Sequence, residues 1–257
     1  MTVSLPAASK LPKPAKLTTA DLRAALAEGW RDLRAAPLYG IFFASFWVAG
    51  GWFLLAALTL TGRIWWTIPA SFGFPLLGPF IAVGLYEVSR RLSQGEALSW
   101  GGVLGVIFAQ RNRQLPSIAA VIVVYFLFWN FLSHVVFALF LGTKVMTNIS
   151  SSFEVFLSPE GLAMLGFGTL AGAVFAWLLY SLTVVALPLL LDREVDFVTA
   201  MLTSLDVVKA NPGVMTAWGL LIAVLVFCAM LPGFLGLFVV LPWLGHASWH
   251  LYRRALP

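Results

Sequence analysis

The chain has 257 residues, 60% of them hydrophobic and only 11% charged, with a mean hydropathy of +0.92. Soluble domains average about 45–50% apolar and about 25% charged, so this chain lacks the charge to cover a water-facing surface. A soluble globular protein is excluded, and the composition predicts an all-α, polytopic integral membrane protein.

One cysteine, Cys228, rules out an intramolecular disulfide and an all-cysteine metal site. Its place in the apolar run Val214–Met230 predicts a buried, inert thiol. The formal charge of +5 is read as cytoplasmic loops. No basic run with interleaved aromatics appears, so no nucleic-acid partner is expected.

The N-terminal residues carry Lys10, Lys13 and Lys16 among prolines, with no apolar signal-peptide core behind them. Residues 1–17 are expected to form a disordered basic tail that stays on the chain. Residues 18–254 then make a single membrane domain.

A bilayer core needs about 20 apolar helical residues. Leu38–Thr61, Trp66–Tyr86, Pro116–Leu141 and Leu165–Leu191 each supply them. Val214–Leu251 is uncharged over nearly two such lengths, with Pro232 and Gly233 at its middle. It reads as a helical hairpin, which makes six spans.

Fourteen of the 16 Lys and Arg fall on one side of this arrangement, leaving Arg63 and Lys144 on the other. The bias predicts cytoplasmic N- and C-termini in a bacterial inner membrane. Trp65 and Trp66 would mark the outer interface, and Trp30, Trp100 and Trp249 the inner one. Trp47 and Trp129 lie mid-span, where core packing is the simpler role.

The cytoplasmic segments read as three amphipathic interfacial helices. The first begins at a capping box, Thr18 with Asp21, and carries Leu22, Leu26, Trp30 and Leu33 at helical spacing. The second is expected to start at Ser93 with Glu96, and carries Leu98, Trp100, Val103, Leu104 and Ile107. The third carries Val198, Met201, Leu202, Leu205 and Val208.

Pro37, Pro116 and Pro212 follow these segments, as suits a helix first turn. The pattern is an interfacial helix plus a transmembrane hairpin, repeated three times over residues 18–91, 93–192 and 194–254. Chance likeness among apolar segments is the competing reading.

Three stretches carry a family resemblance: Phe74-Pro75-Leu76-Leu77-Gly78-Pro79, the run from Leu191 to Ala200, and Gly245-His246-Ala247-Ser248-Trp249-His250. From about Trp30 to Arg254 the chain resembles the domain-of-unknown-function 2189 family, predicted integral membrane proteins of proteobacteria. The resemblance implies topology and no activity. Labels on some members connect them with cytochrome oxidase, which hints at a respiratory-membrane setting. The repeat unit more loosely resembles the membrane domain attached to some glycerophosphodiester phosphodiesterases.

Candidate chemistry is sparse. His246 and His250, four apart, share a helix face and could hold a haem or metal ion. Interface anchoring and interhelical hydrogen bonding compete with that role, and no cofactor or metal is expected. Asn130, Ser133 and His134 form the main polar cluster inside a span, read chiefly as interhelical hydrogen bonding.

Span two carries Pro69, Pro75 and Pro79, so a kink at Pro75 and Pro79 is the best argument for a transporter. Against it, no span contains an acidic residue. Asp192, Glu194 and Asp196 suit a helix N-terminus, or alternatively a divalent-metal or catalytic site. Glu87 with Arg90 and Arg91 reads as a surface ion pair, and Arg90, Arg91, Arg253 and Arg254 as contacts to anionic lipid head groups.

The stretch Gly166–Ala171 fits a dinucleotide fingerprint but lies inside a span, where Gly168 and Gly172 read better as a helix-packing face. Asn148-Ile149-Ser150 is a formal glycosylation sequon. No catalytic motif is present, so no enzyme activity is expected. The reading favoured is a non-enzymatic accessory or scaffolding protein, whose partners are lipids and a membrane-protein complex. A small-molecule or lipid transporter, and a haem or metal binder through His246 and His250, are the alternatives.

Overall fold

The computed structural model describes residues 12–61, 67–142 and 154–257. Outside them lie the tail residues 1–11, the cations Arg63 and Lys144 expected on the outer side, the pair Trp65 and Trp66, and the Asn148 sequon. Helices are the only regular elements among the described residues, with no strand: α1 (Thr19–Ala35), α2 (Pro37–Thr61), α3 (Thr67–Gln94), α4 (Trp100–Gln110), α5 (Leu115–Leu141), α6 (Glu154–Leu157), α7 (Pro159–Thr183), α8 (Ala186–Asp192), α9 (Phe197–Ala210), α10 (Pro212–Met230) and α11 (Leu237–Ala255).

Local sequence explains most boundaries. Thr18 caps α1 through a full capping box, its hydroxyl accepting from Asp21 N–H while the Asp21 carboxylate accepts from Thr18 N–H at 2.8 Å. Pro37 opens α2, and Pro116 and Pro212 stand in the first turns of α5 and α10, where a missing N–H costs nothing.

The second short helix departs from expectation. α3 runs on through Ser93 to Gln94, and α4 begins only at Trp100, capped by Ser99. Gly95, at φ +69°, ends α3. The bonds Gly95 N–H to Leu92 O and Glu96 N–H to Arg91 O complete a Schellman motif. Ser93 bonds back to Arg90 O and Glu96 to Arg90, so the pair belongs to the end of α3 and caps nothing.

Among the described residues four helices are long and apolar enough to cross a membrane: Pro37–Ala57, Leu115–Leu141, Pro159–Asp192 and Pro212–Met230. α3 and α11, whose C-terminal ends carry Glu87, Arg90, Arg91 and His246, His250, Arg253, Arg254, are not among them. Pro75 and Pro79 both lie within α3, one helix from Thr67 to Gln94. Between α7 and α8 the backbone slips at Val185, whose N–H is taken by the buried Ser204 hydroxyl at 3.1 Å.

α11 is the hub, packing on α1, α2, α3 and α10. Its turn from α10 falls at the expected proline and glycine. Gly233 and Phe234 both adopt positive φ, Trp52 donates to Gly233 O at 2.8 Å, and the Phe234 ring covers Gly51. Leu244, Ala247, Trp249, Leu251 and Tyr252 of α11 join Met215, Trp218 and Leu189 in the main core. Trp249 is therefore a core residue and not an interface anchor, whereas Trp30 and Trp100 are exposed.

Two further expectations change. Cys228 is exposed, because it sits on the outward side of α10. Residues 15–17 are bonded into the fold: Ala15 N–H to Ala255 O, and Leu17 N–H to the Asn211 side chain, which itself donates to Ala15 O. A buried amide at position 211 thus ties down the end of the segment expected to be a disordered tail.

Candidate functional site

The densest polar arrangement joins α1 to α11. Opposite the exposed side of α1 lie Ala25, Gly29, Asp32 and Leu33, all buried. A β-carbon on Gly29 would sit 2.5 Å from the Ala247 backbone nitrogen, so only glycine lets the two helices approach this closely. That approach brings acids of α1 against bases of α11.

His250 Nε2 bonds to Asp32 Oδ2 at 2.6 Å, and its Nδ1 lies 3.2 Å from Glu28 Oε2. Arg254 grips Glu28 with two bonds of 2.8 Å, a bidentate geometry that adds orientation to charge. This bonding holds the Glu28 carboxyl below the ordinary range, the Arg254 hydrogen bonds contributing most.

His246, one turn earlier, faces α3. Its Nδ1 lies 2.8 Å from the Ser89 hydroxyl, the ring is fully buried, and Nε2 has no protein partner. The two histidines thus share a helix face, as their spacing predicts, but engage different neighbours. Among the described residues no group of three or more His, Cys, Asp or Glu could hold a metal ion. Both nitrogens of His250 already face carboxylates.

A second charged knot closes the end of α3. Glu87 is fully buried, and Arg90 and Arg91 bond to its two oxygens at 2.6–2.9 Å. It is not the surface pair expected, because α3 turns that carboxylate into the fold while the guanidiniums reach back from the next turn. Arg90 also binds Glu96 at 3.1 Å, Arg253 binds Asp192 at 2.9 Å, and Arg254 is held as described. All four arginines expected at lipid head groups therefore have carboxylate partners within the chain.

The acidic group near α9 does not converge. Asp196 caps α9 through Thr199, which holds its carboxyl below the ordinary range. Asp192 takes Tyr252 and Arg253, and Glu194 takes Arg113 at 2.7 Å. Beside them an open groove of about 360 Å³ is lined by residues including Gln110, Arg113, Gln114 and Arg193.

The intramembrane polar cluster is satisfied inside α5. Asn130 donates to Phe126 O and Ser133 to Asn130 O, while His134 Nδ1 lies 2.7 Å from Asn130 O. Expected bridges between helices are replaced by bonds within one helix, because the carbonyl three or four residues back is already in reach. The α5–α7 contact instead uses Tyr125 OH to Phe175 O at 2.8 Å and the Trp129 ring over Gly172. The small-residue face of α7 is thus a packing face, as expected.

Sequence reasoning missed Asp32, Ser89 and the inward turn of Glu87. One signal was present: Asp32 shares a face with Ala25 and Gly29, small residues that announce a close helix neighbour. No curated protein and no solved structure matches the chain. The match that exists is narrower than the resemblance read from Trp30 to Arg254 and excludes His246, His250 and Asp32. The family model described as predicted integral membrane protein, DUF2189, matches residues 67–192, the stretch from α3 through α8.

Proposed function

We propose that this integral membrane protein is a non-enzymatic accessory or scaffolding component of a membrane-protein complex in the bacterial inner membrane. The observation that carries the reading is how little the crossing helices bury within the chain. Only 17% of the most apolar stretch of α5 and of α10 is buried, against 28% in α2 and 33% in the span from α7 through α8. Helices associate in lipid through close packing of small residues and aromatics. Here such faces are used sparingly inside the chain and left open along its flanks, where Phe128, Phe131, Phe227 and Leu220 stand exposed.

Six crossings, with α3 and α11 as return helices, fit this role. At about 1.5 Å per residue the 28 residues of α3 and the 19 of α11 are of spanning length. A shorter helix followed by two longer ones recurs at α1–α3, at α4, α5 and α7, and at α9–α11, with the short α6 and α8 as additions to the second set, and supports a threefold unit. The excess of Lys and Arg on one side supports cytoplasmic termini.

The test is native mass spectrometry of the protein released gently from its own membrane, alongside native gels of membranes lacking it. A reproducible protein partner, and loss or shift of that partner's complex on deletion, is expected. A lone protomer together with unchanged membrane complexes would overturn the reading.

A further inference from the structure

We infer that the outward face of α1 is a binding site for the head group of an anionic phospholipid. Arg23, Trp30 and Arg34 fall on one stripe of α1 at helical spacing, with Arg31 beside them, and all four are exposed. Among the described residues none of these three arginines has a carboxylate oxygen within 4 Å, in contrast to Arg90, Arg91, Arg253 and Arg254. The cations first expected at head groups are thus bonded to carboxylates inside the fold, whereas Arg31 acts on Glu28 only from a distance and, among the described residues, Arg23 and Arg34 form no ion pair.

Contacts with α11 fix the stripe in place. The inward face of α1 is locked to α11 by Gly29 against Ala247, by His250 and by Arg254. Trp30 meets Trp243 edge-on at 5.5 Å, and Trp243 Nε1 donates to Leu26 O at 2.9 Å. The face therefore cannot roll relative to α11 without breaking buried bonds.

What adjoins it names the occupant. α2, an apolar crossing helix, starts two residues after α1 ends, and its first turns present Leu38 at 68% and Ile41 at 47% exposure. A tryptophan between arginines, beside the entry of a span, matches a ligand with a phosphate head and acyl chains. A free anion would have no use for the apolar half. The site stands independently of the accessory role.

The test uses the full chain in detergent, with phosphatidylglycerol, phosphatidylcholine or inorganic phosphate as probe, read by native mass spectrometry. The wild-type protein should retain phosphatidylglycerol over phosphatidylcholine. A basic residue near an anionic surface is worth about fivefold in affinity, so Arg31→Gln/Arg34→Gln should weaken that retention about 25-fold. Arg111→Gln removes one exposed charge elsewhere and should leave it unchanged, and Arg31→Lys/Arg34→Lys should recover most of it. Equal retention of the two lipids, an unaffected Arg31→Gln/Arg34→Gln protein, an equal loss in Arg111→Gln, or displacement of the lipid by millimolar inorganic phosphate would each overturn the proposal.

Discussion

His250 Nε2 lies 2.6 Å from Asp32 Oδ2, across 218 residues of chain. The bond fastens the last helix to the first. Both partners are buried, and Asp32 is the partner of Nε2 while Glu28 stands at Nδ1. Replacing Asp32 with Ala should leave the buried His250 Nε2 without its hydrogen-bond partner and cost about 1–3 kcal/mol. Asp32→Leu/His250→Leu should regain much of that loss. Thermal unfolding of the purified protein in one detergent reads both, and equal losses for the single and double variants would contradict the coupling.

Acid should loosen the same junction through Glu28. Its carboxyl is held below the ordinary value of 4.5 by Arg254, so the charged form is favoured in the folded state. That contribution is fully present above the ordinary value. It declines as pH falls from there and is gone below the lowered folded value. Thermal stability followed between pH 6 and pH 3 should therefore fall less steeply in Glu28→Gln than in the parent chain. Parallel curves would show that Glu28 carries no such linkage.

Removing the buried Glu87 should unsettle the end of α3. Arg90 and Arg91 both bond to it, and hydrogen bonds to charged groups contribute about 1.5–3 kcal/mol each. Glu87→Leu is expected to lower stability by about 2–3 kcal/mol, with Glu87→Gln losing less because it keeps an acceptor. Hydrogen exchange should speed up first in α3's last turns and at α4. Uniform exchange across the chain would argue against a local knot.

Helix approach can be tested at single glycines. Gly29→Ala would drive a β-carbon into the Ala247 backbone, and overpacking of this kind costs about 1–3 kcal/mol. Gly105, inside α4, has nothing within 4 Å of an added β-carbon, so Gly105→Ala should gain up to about 1 kcal/mol. Melting temperatures shifting in opposite directions would support the close α1–α11 contact, and a neutral Gly29→Ala would remove it.

Much of the architecture was legible because it is written locally. Apolar runs of spanning length, prolines at helix starts, the Thr18–Asp21 box and the turn at Gly233 each depend on neighbours a few residues away. Gly172 could be recognised as a packing surface for the same reason, since small residues one turn apart make a groove whatever fills it.

Pairing across the chain was decided only by the tertiary structure. Whether Glu87 meets lipid or turns inward depends on how α3 rotates against α11, and nothing in the local pattern sets that rotation. Asp32 carries no local mark of its role, which arises only because Gly29 lets α11 close on it. Asn130, Ser133 and His134 went the other way, turning to carbonyls of their own helix where partners on another had been expected. Hydrophobic periodicity fixes which residues leave water, because transfer free energy is roughly additive along a helix. Which buried polar group finds which partner is set by the packing of helices far apart in sequence, and that information exists only once they have met.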